Sequence, residues 1–210
     1  MADWTTISAL ATAGGTLVLA AATFASVRSA NRAARATERA LLAGIRPLLV
    51  PTRLDDPPEK VGFQDDVYVH VEGGRAAIRR VDGNIYMAIS LRNAGNGIAV
   101  LDRWDIYPER LTGTSTYRSF DSFRRLTRDI YIPGGDRGFW QGAFRDQDDP
   151  RFAEVADAIE RRSPLTIDLL YSDSEGGQHA VSRFGVLPFG DDGWLAAIGR
   201  HWNIDRDDPR

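Results

Sequence analysis

The amino-acid sequence predicts a mainly β protein, an antiparallel β-sandwich behind a helical N-terminus, and three observations lead to this fold class. Residues 4–27 are uncharged and largely apolar. Residues 28–46 are rich in alanine and arginine and contain no proline, which favours a helix. From Pro47 onward, apolar residues recur at every second position, which is the period of a half-buried strand. The predicted segments are an N-terminal flank (1–3), a transmembrane helix (4–27), an Arg-rich juxtamembrane helix (28–46), a β-sandwich domain (47–188) with a helical insert at about 149–161, and a short C-terminal helix with a tail (189–210).

The first predicted helix has the length of a membrane span. At 1.5 Å per residue, residues 4–27 form a helix of about 36 Å, and the hydrocarbon core of a bilayer is about 30 Å thick. Trp4 is placed to lie at one membrane interface. Two alternatives stay open. A cleaved signal peptide normally begins with basic residues, whereas this chain begins Met1-Ala2-Asp3, and a soluble helix seldom has so long an uncharged stretch.

The second predicted helix sets the expected orientation. Residues 28–46 hold five arginines and one glutamate, a net charge of +4. Four of these arginines are spaced by three or four residues and therefore share one helix face, which can contact anionic lipid headgroups. They are Arg28, Arg32, Arg35 and Arg39. Positive charge beside a span stays on the cytoplasmic side, so we expect a single-pass protein of the inner (plasma) membrane with residues 28–210 in the cytoplasm.

Small residues on both helices leave a homodimer open as an alternative to a monomer. Close helix approach needs small side chains on a shared face, but an alanine-rich sequence also produces such faces by chance. The faces consist of Ala11, Gly15, Ala22 and Ser26 in the span, and of Ala30, Ala33, Ala34 and Thr37 after it. Pro47 disfavours helical backbone at Arg46 and so ends the helix.

Strands and turns alternate through the predicted sandwich. The clearest strand places Ile85, Met87, Ile89 and Leu91 on one face, and Tyr86 and Ser90 on the other. Gly-containing turns follow at 82–83, 93–97, 133–136 and 173–177, and the Gly and Asn residues of 93–97 are expected to use left-handed backbone. The remaining predicted strands are Leu48–Leu54, residues 67–71, Arg75–Val81, Ile98–Tyr107 (with Val100, Trp104 and Ile106 on one face), a hairpin of Leu126–Ile132 with Arg137–Phe144, and a hairpin of Thr166–Ser172 with Gln178–Leu187.

Two helices are predicted outside the N-terminus. The insert at about 149–161 has Asp149 as N-cap and an apolar stripe that begins at Phe152. In the C-terminal segment, apolar residues recur at every fourth position behind Asp192, a second N-cap candidate. This stripe consists of Trp194, Ile198 and Trp202.

Three short segments carry a resemblance to known proteins. They are Ile45-Arg46-Pro47, the run Leu91-Arg92-Asn93-Ala94-Gly95-Asn96-Gly97-Ile98-Ala99, and Tyr171-Ser172-Asp173 followed by Gly176-Gly177. In this layout the chain resembles uncharacterised bacterial single-pass membrane proteins. The resemblance implies an immunoglobulin-like β-sandwich behind the N-terminal anchor, and it brings no catalytic residues.

The sequence lacks the usual signatures of catalysis and metal binding. It has no cysteine, and none of its three histidines (His70, His179 and His201) has the helical spacing of a metal site. The nucleophile elbow, the phosphate-binding loop and the dinucleotide fingerprint are missing as well. We therefore expect no catalytic, cofactor-binding or metal-binding residues and no cofactor. Calcium binding by Asp146, Asp148 and Asp149 is the alternative, although their spacing is not that of a calcium loop.

Charge and motifs together favour an interaction module. Subtracting the −1 of residues 1–27 and the +4 of residues 28–46 from the chain's −3 leaves −6 on residues 47–210, so nucleic acid is not expected as a partner. We expect a non-enzymatic, membrane-anchored interaction or sensing module that contacts the lipid bilayer and a protein partner. One alternative is an extracytoplasmic ligand-binding domain, if the topology is inverted. Another is a hydrolase that uses Asp173, His179 and Ser182, which flank one hairpin.

Overall fold

The computed structural model describes residues 3–111 and 116–205 of the chain. The ends of two predicted segments, residues 1–2 of the flank and 206–210 of the tail, lie outside the described residues. The described residues form two units, a helix that precedes Gly44 and a β-rich unit that begins there.

One continuous helix, α1 (Trp4–Gly44), covers both helical segments predicted at the N-terminus. Its 41 residues correspond to about 62 Å. It is long and apolar enough to cross a membrane. The apolar side chains of its first half are exposed, with Leu17 at 72% and Phe24 at 69%. Pro47 follows three residues after the helix ends, as expected from the constraint that proline places on the residue before it.

Three hydroxyl groups in the apolar half of α1 donate hydrogen bonds within the helix. Ser8 Oγ donates to the carbonyl oxygen of Thr5 at 3.0 Å. Thr12 and Thr16 donate to the carbonyl oxygens of the residues four positions earlier, each at 2.9 Å. Because a hydrocarbon core offers no water to polar groups, such internal bonds are what a threonine-rich span requires.

The β-rich unit is built from eleven strands among the described residues, most of them in one curled antiparallel sheet. The strands are β1 (Leu49–Pro51), β2 (Glu59–Gly62), β3 (Tyr68–Val71), β4 (Arg75–Val81), β5 (Asn84–Asn93), β6 (Ala99–Tyr107), β7 (Arg124–Ile132), β8 (Arg137–Phe144), β9 (Leu165–Ser172), β10 (His179–Phe189) and β11 (Gly193–Asn203). Strands β2 and β3 form a separate hairpin, and α2 (Phe152–Glu160) lies between β8 and β9. The prediction of a mainly β, antiparallel protein behind a long N-terminal helix is confirmed.

The curled sheet has two arms. In the first arm, β8 pairs along one edge of β5, while β4 and β1 share the opposite edge of β5. The second arm runs in the order β11-β10-β9-β6-β7. The arms are joined where Trp194 and Leu195 of β11 lie opposite Ala76 and Arg75 of β4. This junction is only two residue pairs long, so the sheet can turn sharply there.

The main hydrophobic core lies between the inner faces of the two arms. The predicted face of β5 points into this core, and α2 packs against the core with Phe152, Val155 and Ala158. The other face of β5, on which Tyr86 and Ser90 were predicted to lie, is buried as well: the two residues are each 1% exposed. The β2–β3 hairpin covers Tyr86 from outside, with Val61, Phe63, Val69 and Val71.

The prediction of a short C-terminal helix over 191–202 is wrong, because Gly193–Asn203 is strand β11. A spacing of four residues fits both a helix and one face of a strand, so the stripe did not distinguish them. The register of β11 on β10 shifts at Gly199, which places Trp194 in the main core and Trp202 in a separate cluster on the outer face.

Two predictions about the middle strands are also wrong. Strands β7 and β8 do not form a hairpin, because β7 pairs with β6 and β8 pairs with β5 among the described strands. In β6, a register shift between Leu101 and Arg103 changes which residues face the core. The inner face therefore holds Ala99, Leu101, Trp104 and Ile106, without Val100.

The hairpin predicted at 82–83 and the one around 173–177 are confirmed. In the first, Asp82 and Gly83 both adopt positive φ, at 50° and 81°, as a two-residue turn between twisted strands requires. The helical insert is observed as α2, but Arg151 rather than Asp149 is its N-cap residue. Asp149 instead accepts a hydrogen bond from the Arg151 backbone nitrogen and forms an ion pair with Arg124.

The loop after β2 is attached to the first arm by a carboxylate. Asp65 accepts two hydrogen bonds from the Arg145 guanidinium, at 3.0 and 3.1 Å, and one from the Tyr86 hydroxyl. The Arg145 bonds, more than any other interaction, lower the pKa of Asp65 from its ordinary 3.8 to about 2. The folded state therefore gains stability from this carboxylate when the carboxylate is ionised.

We expect Asp65→Asn to destabilise the β-rich unit at neutral pH but not in acid. Because the folded pKa lies below the unfolded one, the contribution is present above about pH 4 and is lost as pH falls towards 2. Both partners are about one-third exposed, so the loss is about 1 kcal/mol or less. Unfolding of the two full-length chains in detergent, compared at pH 6 and pH 2.5, checks this. An equal difference at both pH values would contradict it.

Candidate functional site

The residues that follow α1 contact a group of buried and half-buried polar side chains. We call this group the N-terminal clamp, because it holds residues 44–49, the first residues of the β-rich unit, against the strands of that unit. Its members are Arg46, Asn93, Tyr171, Ser182, His201 and Asn203.

Asn93, at the end of β5, is the centre of the clamp. It is fully buried, and its amide makes four hydrogen bonds. Its Oδ1 accepts from the backbone nitrogens of Leu48 and Gly95, each at 3.0 Å. Its Nδ2 donates to the carbonyl oxygens of Gly97, at 2.6 Å, and Ile132, at 3.0 Å. One side chain thus joins the incoming segment, the turn after β5 and the end of β7.

Two glycines of the clamp allow close backbone approach. A Cβ on Gly97 would lie 1.7 Å from the Ile45 carbonyl oxygen, and one on Gly95 would lie 2.2 Å from that of Arg46. Neither glycine adopts a positive φ, so the left-handed backbone predicted for 93–97 is not found at either glycine. These positions need glycine because the incoming segment passes against them.

Arg46 connects the incoming segment to the end of β11. Its guanidinium donates to Asn203 Oδ1 at 2.8 Å and forms bidentate hydrogen bonds with the Asp205 carboxylate, at 3.1 and 2.5 Å. Paired bonds of this kind fix orientation as well as distance. Asn203 Oδ1 also lies 3.3 Å from Nε2 of His201, which extends the clamp into the sheet.

Tyr171 extends the hydrogen bonds of the clamp into the core between the two arms. Its hydroxyl accepts from the Leu49 backbone nitrogen at 3.1 Å and lies 2.9 Å from Ser182 Oγ. Burial raises the pKa of this phenol to about 12, so it stays neutral at physiological pH. His201 Nδ1 lies within 3.4 Å of the same hydroxyl.

The clamp joins the segments that carry the sequence resemblance. Ile45-Arg46-Pro47 lies against the turn that follows Asn93, and Tyr171 accepts from the strand that follows Pro47. These segments therefore serve to attach the chain after α1 to the β-rich unit. Sequence analysis gave them no common role, because the contacts join residues that are 45 to 159 positions apart.

The hydrolase residues considered from sequence do not form a triad. The Asp173 carboxylate accepts bonds from Gly177 and Gln178 and thereby shapes the turn, while the His179 side chain is exposed. Ser182 instead lies 3.2 Å from His201 Nδ1, a serine–histidine contact that the sequence did not reveal. Ser182 is fully buried, and its hydroxyl lies 2.9 Å from that of Tyr171.

A second group of buried polar residues lies in the second arm, beneath the hydrophobic cluster that contains Trp202. Asp168 of β9 and Arg183 of β10 face each other across the strands and form two bonds of 2.7 Å. Asp105 of β6 lies directly opposite Asp168 and is bonded by Arg151 and Arg118. Burial raises the pKa of Asp168, although Arg183 acts against this rise. A charged residue inside the apolar strand sequence LTIDLLY was the available signal, and sequence analysis missed it.

The arginines predicted to contact membrane lie exposed along α1. Arg28, Arg32 and Arg35 border a shallow surface groove together with Phe24 and Val27, where the apolar half of the helix ends. Arg39 continues the same face one turn later and is also exposed. Within residues 3–111 and 116–205, no three histidine, aspartate or glutamate side chains converge as metal ligands, and Asp149 of the calcium candidate is paired with Arg124.

The chain was compared with protein families and with curated proteins. No family model and no curated protein matches it.

Proposed function

We propose that this protein is a membrane-anchored, non-enzymatic interaction or sensing module whose β-rich unit is an immunoglobulin-like β-sandwich. The observation that carries the proposal is α1. It joins an apolar segment with internally bonded hydroxyls to a face of four arginines without a break. A helix of this kind is suited to crossing a bilayer and continuing among the headgroups.

The orientation follows from the arginine face. Arg28, Arg32, Arg35 and Arg39 lie at one end of the apolar segment, whereas the other end carries Asp3. The positive-inside rule then directs the β-rich unit to the cytoplasm. The charge of −6 on residues 47–210 favours a position away from an anionic membrane surface and leaves headgroup contact to the arginines of α1.

The non-enzymatic part of the proposal is supported by how the buried polar groups are used. The side chains of the N-terminal clamp form hydrogen bonds with backbone groups of this protein, and Asp168 forms an ion pair with Arg183. Two arms packed face to face around one core support a sandwich, and the sequence resemblance implies that it is immunoglobulin-like. An interaction module needs an accessible surface more than buried reactive groups.

Fusions to the end of the chain test the anchor and its orientation. We expect a C-terminal fluorescent-protein fusion to fluoresce in the membrane fraction and to resist alkaline extraction, and a C-terminal alkaline phosphatase fusion to be inactive. The matched control is a variant in which glutamate replaces Arg28, Arg32, Arg35 and Arg39. This change should raise the activity of the phosphatase fusion.

Each outcome decides one part of the proposal. A chain released by alkaline extraction would disprove the anchor. An active phosphatase fusion on the unmodified chain would place the β-rich unit outside the cytoplasm and favour the extracytoplasmic ligand-binding alternative.

A further inference from the structure

The two ends of the curled sheet approach each other without pairing. Strands β7 and β8 are connected by the turn at 133–136, yet among the described strands each uses only one edge, β7 towards β6 and β8 towards β5. We call the space between their other edges the β7–β8 seam. A strand edge without a partner presents backbone N–H and C=O groups that can pair with another extended chain.

Two cavities lie along the seam. The one nearer the turn, of about 400 Å³, is bordered by 128–131 of β7, by 137–139 of β8 and by Glu59 of β2, and its charged residues are of both signs. The other, of about 170 Å³, is bordered by 124–127 of β7 and by 141–143 of β8. Successive side chains of a strand point to opposite faces, so a cavity lined by consecutive residues faces the strand's backbone edge.

Side chains occupy positions that a further strand would take. Arg128 donates to Gln141 Oε1 across the seam at 2.8 Å, and Gln64 donates to the Thr127 carbonyl oxygen at 3.4 Å. Residues 126–129 of β7 are also absent from the described pairs with β6. The Arg128 and Gln64 side chains are flexible and are therefore easier to displace than a paired strand would be.

The smaller cavity is cationic. Arg124, Arg125 and Arg145 line it, and none of its lining residues is acidic. Asp149 and Asp65 hold Arg124 and Arg145 in place through ion pairs. The Nε of Arg124 is buried without a hydrogen-bond partner among the described atoms. Burial and the nearby charge of Arg151 lower the pKa of Arg124.

We propose that the β7–β8 seam binds an extended, acidic segment of a partner protein, whose backbone pairs with the strand edges and whose carboxylate enters the Arg124–Arg125–Arg145 cavity. The site rests on the proposed interaction function and identifies where the partner docks. An extended backbone is the chemistry that strand edges recognise, and alternate side chains then select the sequence.

Synthetic peptides test the seam on the purified full-length chain in zwitterionic lipid nanodiscs. The probe is a fluorescent eight-residue peptide of alternating glutamate and valine, with a lysine–valine peptide and a glutamate–proline peptide as controls. We expect the glutamate–valine peptide to bind at least about tenfold more tightly than either control, because one has the wrong charge and the other cannot pair as a strand. Equal binding of the three peptides would overturn the proposal.

Matched variants and hydrogen exchange locate the binding. Arg125 is exposed in the cavity and Arg53 is exposed outside the seam, so each tolerates substitution. We expect Arg125→Glu to weaken binding about tenfold and Arg53→Glu to leave it within about twofold. Amide exchange should slow in β7 and β8 but not in β10. Binding without this protection would be general charge attraction and would also overturn the seam proposal.

The seam and the proposed function can fail separately. Peptide binding by the purified chain does not depend on membrane orientation, so it can succeed even if the fusion experiment contradicts the anchor. If peptides do not bind while partners crosslink elsewhere on the β-rich unit, the interaction function stands and the seam proposal falls.

Discussion

Replacing Asp168 with alanine is expected to lower the free energy of unfolding of the β-rich unit by about 3–5 kcal/mol, because it leaves the buried guanidinium of Arg183 without its counter-ion. The two side chains are 0% and 4% exposed, so water cannot replace the lost carboxylate. Denaturant unfolding of the full-length chain in detergent, followed by tryptophan fluorescence, measures the change.

A paired substitution separates the ion pair from simple packing. Changing both Asp168 and Arg183 to leucine removes both charges, so we expect the double variant to be more stable than Asp168→Ala. A double variant at least as unstable as the single one would show that packing, not the unpaired charge, sets the loss. A single-variant loss below about 1 kcal/mol would show that Arg183 finds another way to be solvated.

Gly97→Ala is expected to destabilise the N-terminal clamp by about 3 kcal/mol, the upper part of the range for overpacking. The new methyl group would overlap the Ile45 carbonyl oxygen at 1.7 Å, and this atom belongs to the backbone and cannot rotate away. The clamp hydrogen bonds of Asn93 would have to lengthen as the incoming segment moves. Loss of amide-exchange protection at Leu48 and Leu49, together with the unfolding midpoint, measures the effect.

Gly177 provides the matched control. It also lies in a turn between strands, but a Cβ there would meet no atom within 4 Å, and its φ is not positive. We expect Gly177→Ala to change stability by less than about 0.5 kcal/mol, or to raise it slightly by restricting the unfolded chain. Equal losses at the two glycines would refute the close-approach explanation.

Local patterns predicted most of the elements but not their partners. The alternation of Ile85, Met87, Ile89 and Leu91 identified β5, and Pro47 marked the end of α1 to within two residues. The same alternation could not show that the β2–β3 hairpin buries the other face of β5. That burial comes from contact between segments distant along the chain, which periodicity does not record.

Register shifts explain two of the errors. A bulge adds one residue to a strand and moves every later side chain to the opposite face, so the stripe of Trp194 and Trp202 is divided between two clusters. The same effect removed Val100 from the predicted face of β6. Nothing in a single sequence marks the bulge at Gly199 apart from the glycine itself, which also fits an ordinary strand or turn.

The candidate sites were less predictable than the fold. The arginine face of α1 was visible because helical spacing is local. The N-terminal clamp and the β7–β8 seam depend on which strands pair, and the turn at 133–136 suggested the wrong pairing. Asn93 was assigned to a turn, and its four hydrogen bonds became evident only from the position of residues 44–48 beside it.

The N-terminal clamp also dictates an order of events during biosynthesis. Arg46 donates to Asn203 and Asp205, which are synthesised 157 and 159 residues later. By the time these acceptors exist, α1 has long been translated and is free to insert into a bilayer. The β-rich unit reaches its native state only afterwards, through contacts whose large sequence separation slows folding. Until β11 arrives, β10 lacks a partner along one edge, so the nascent chain is most prone to aggregation in that interval.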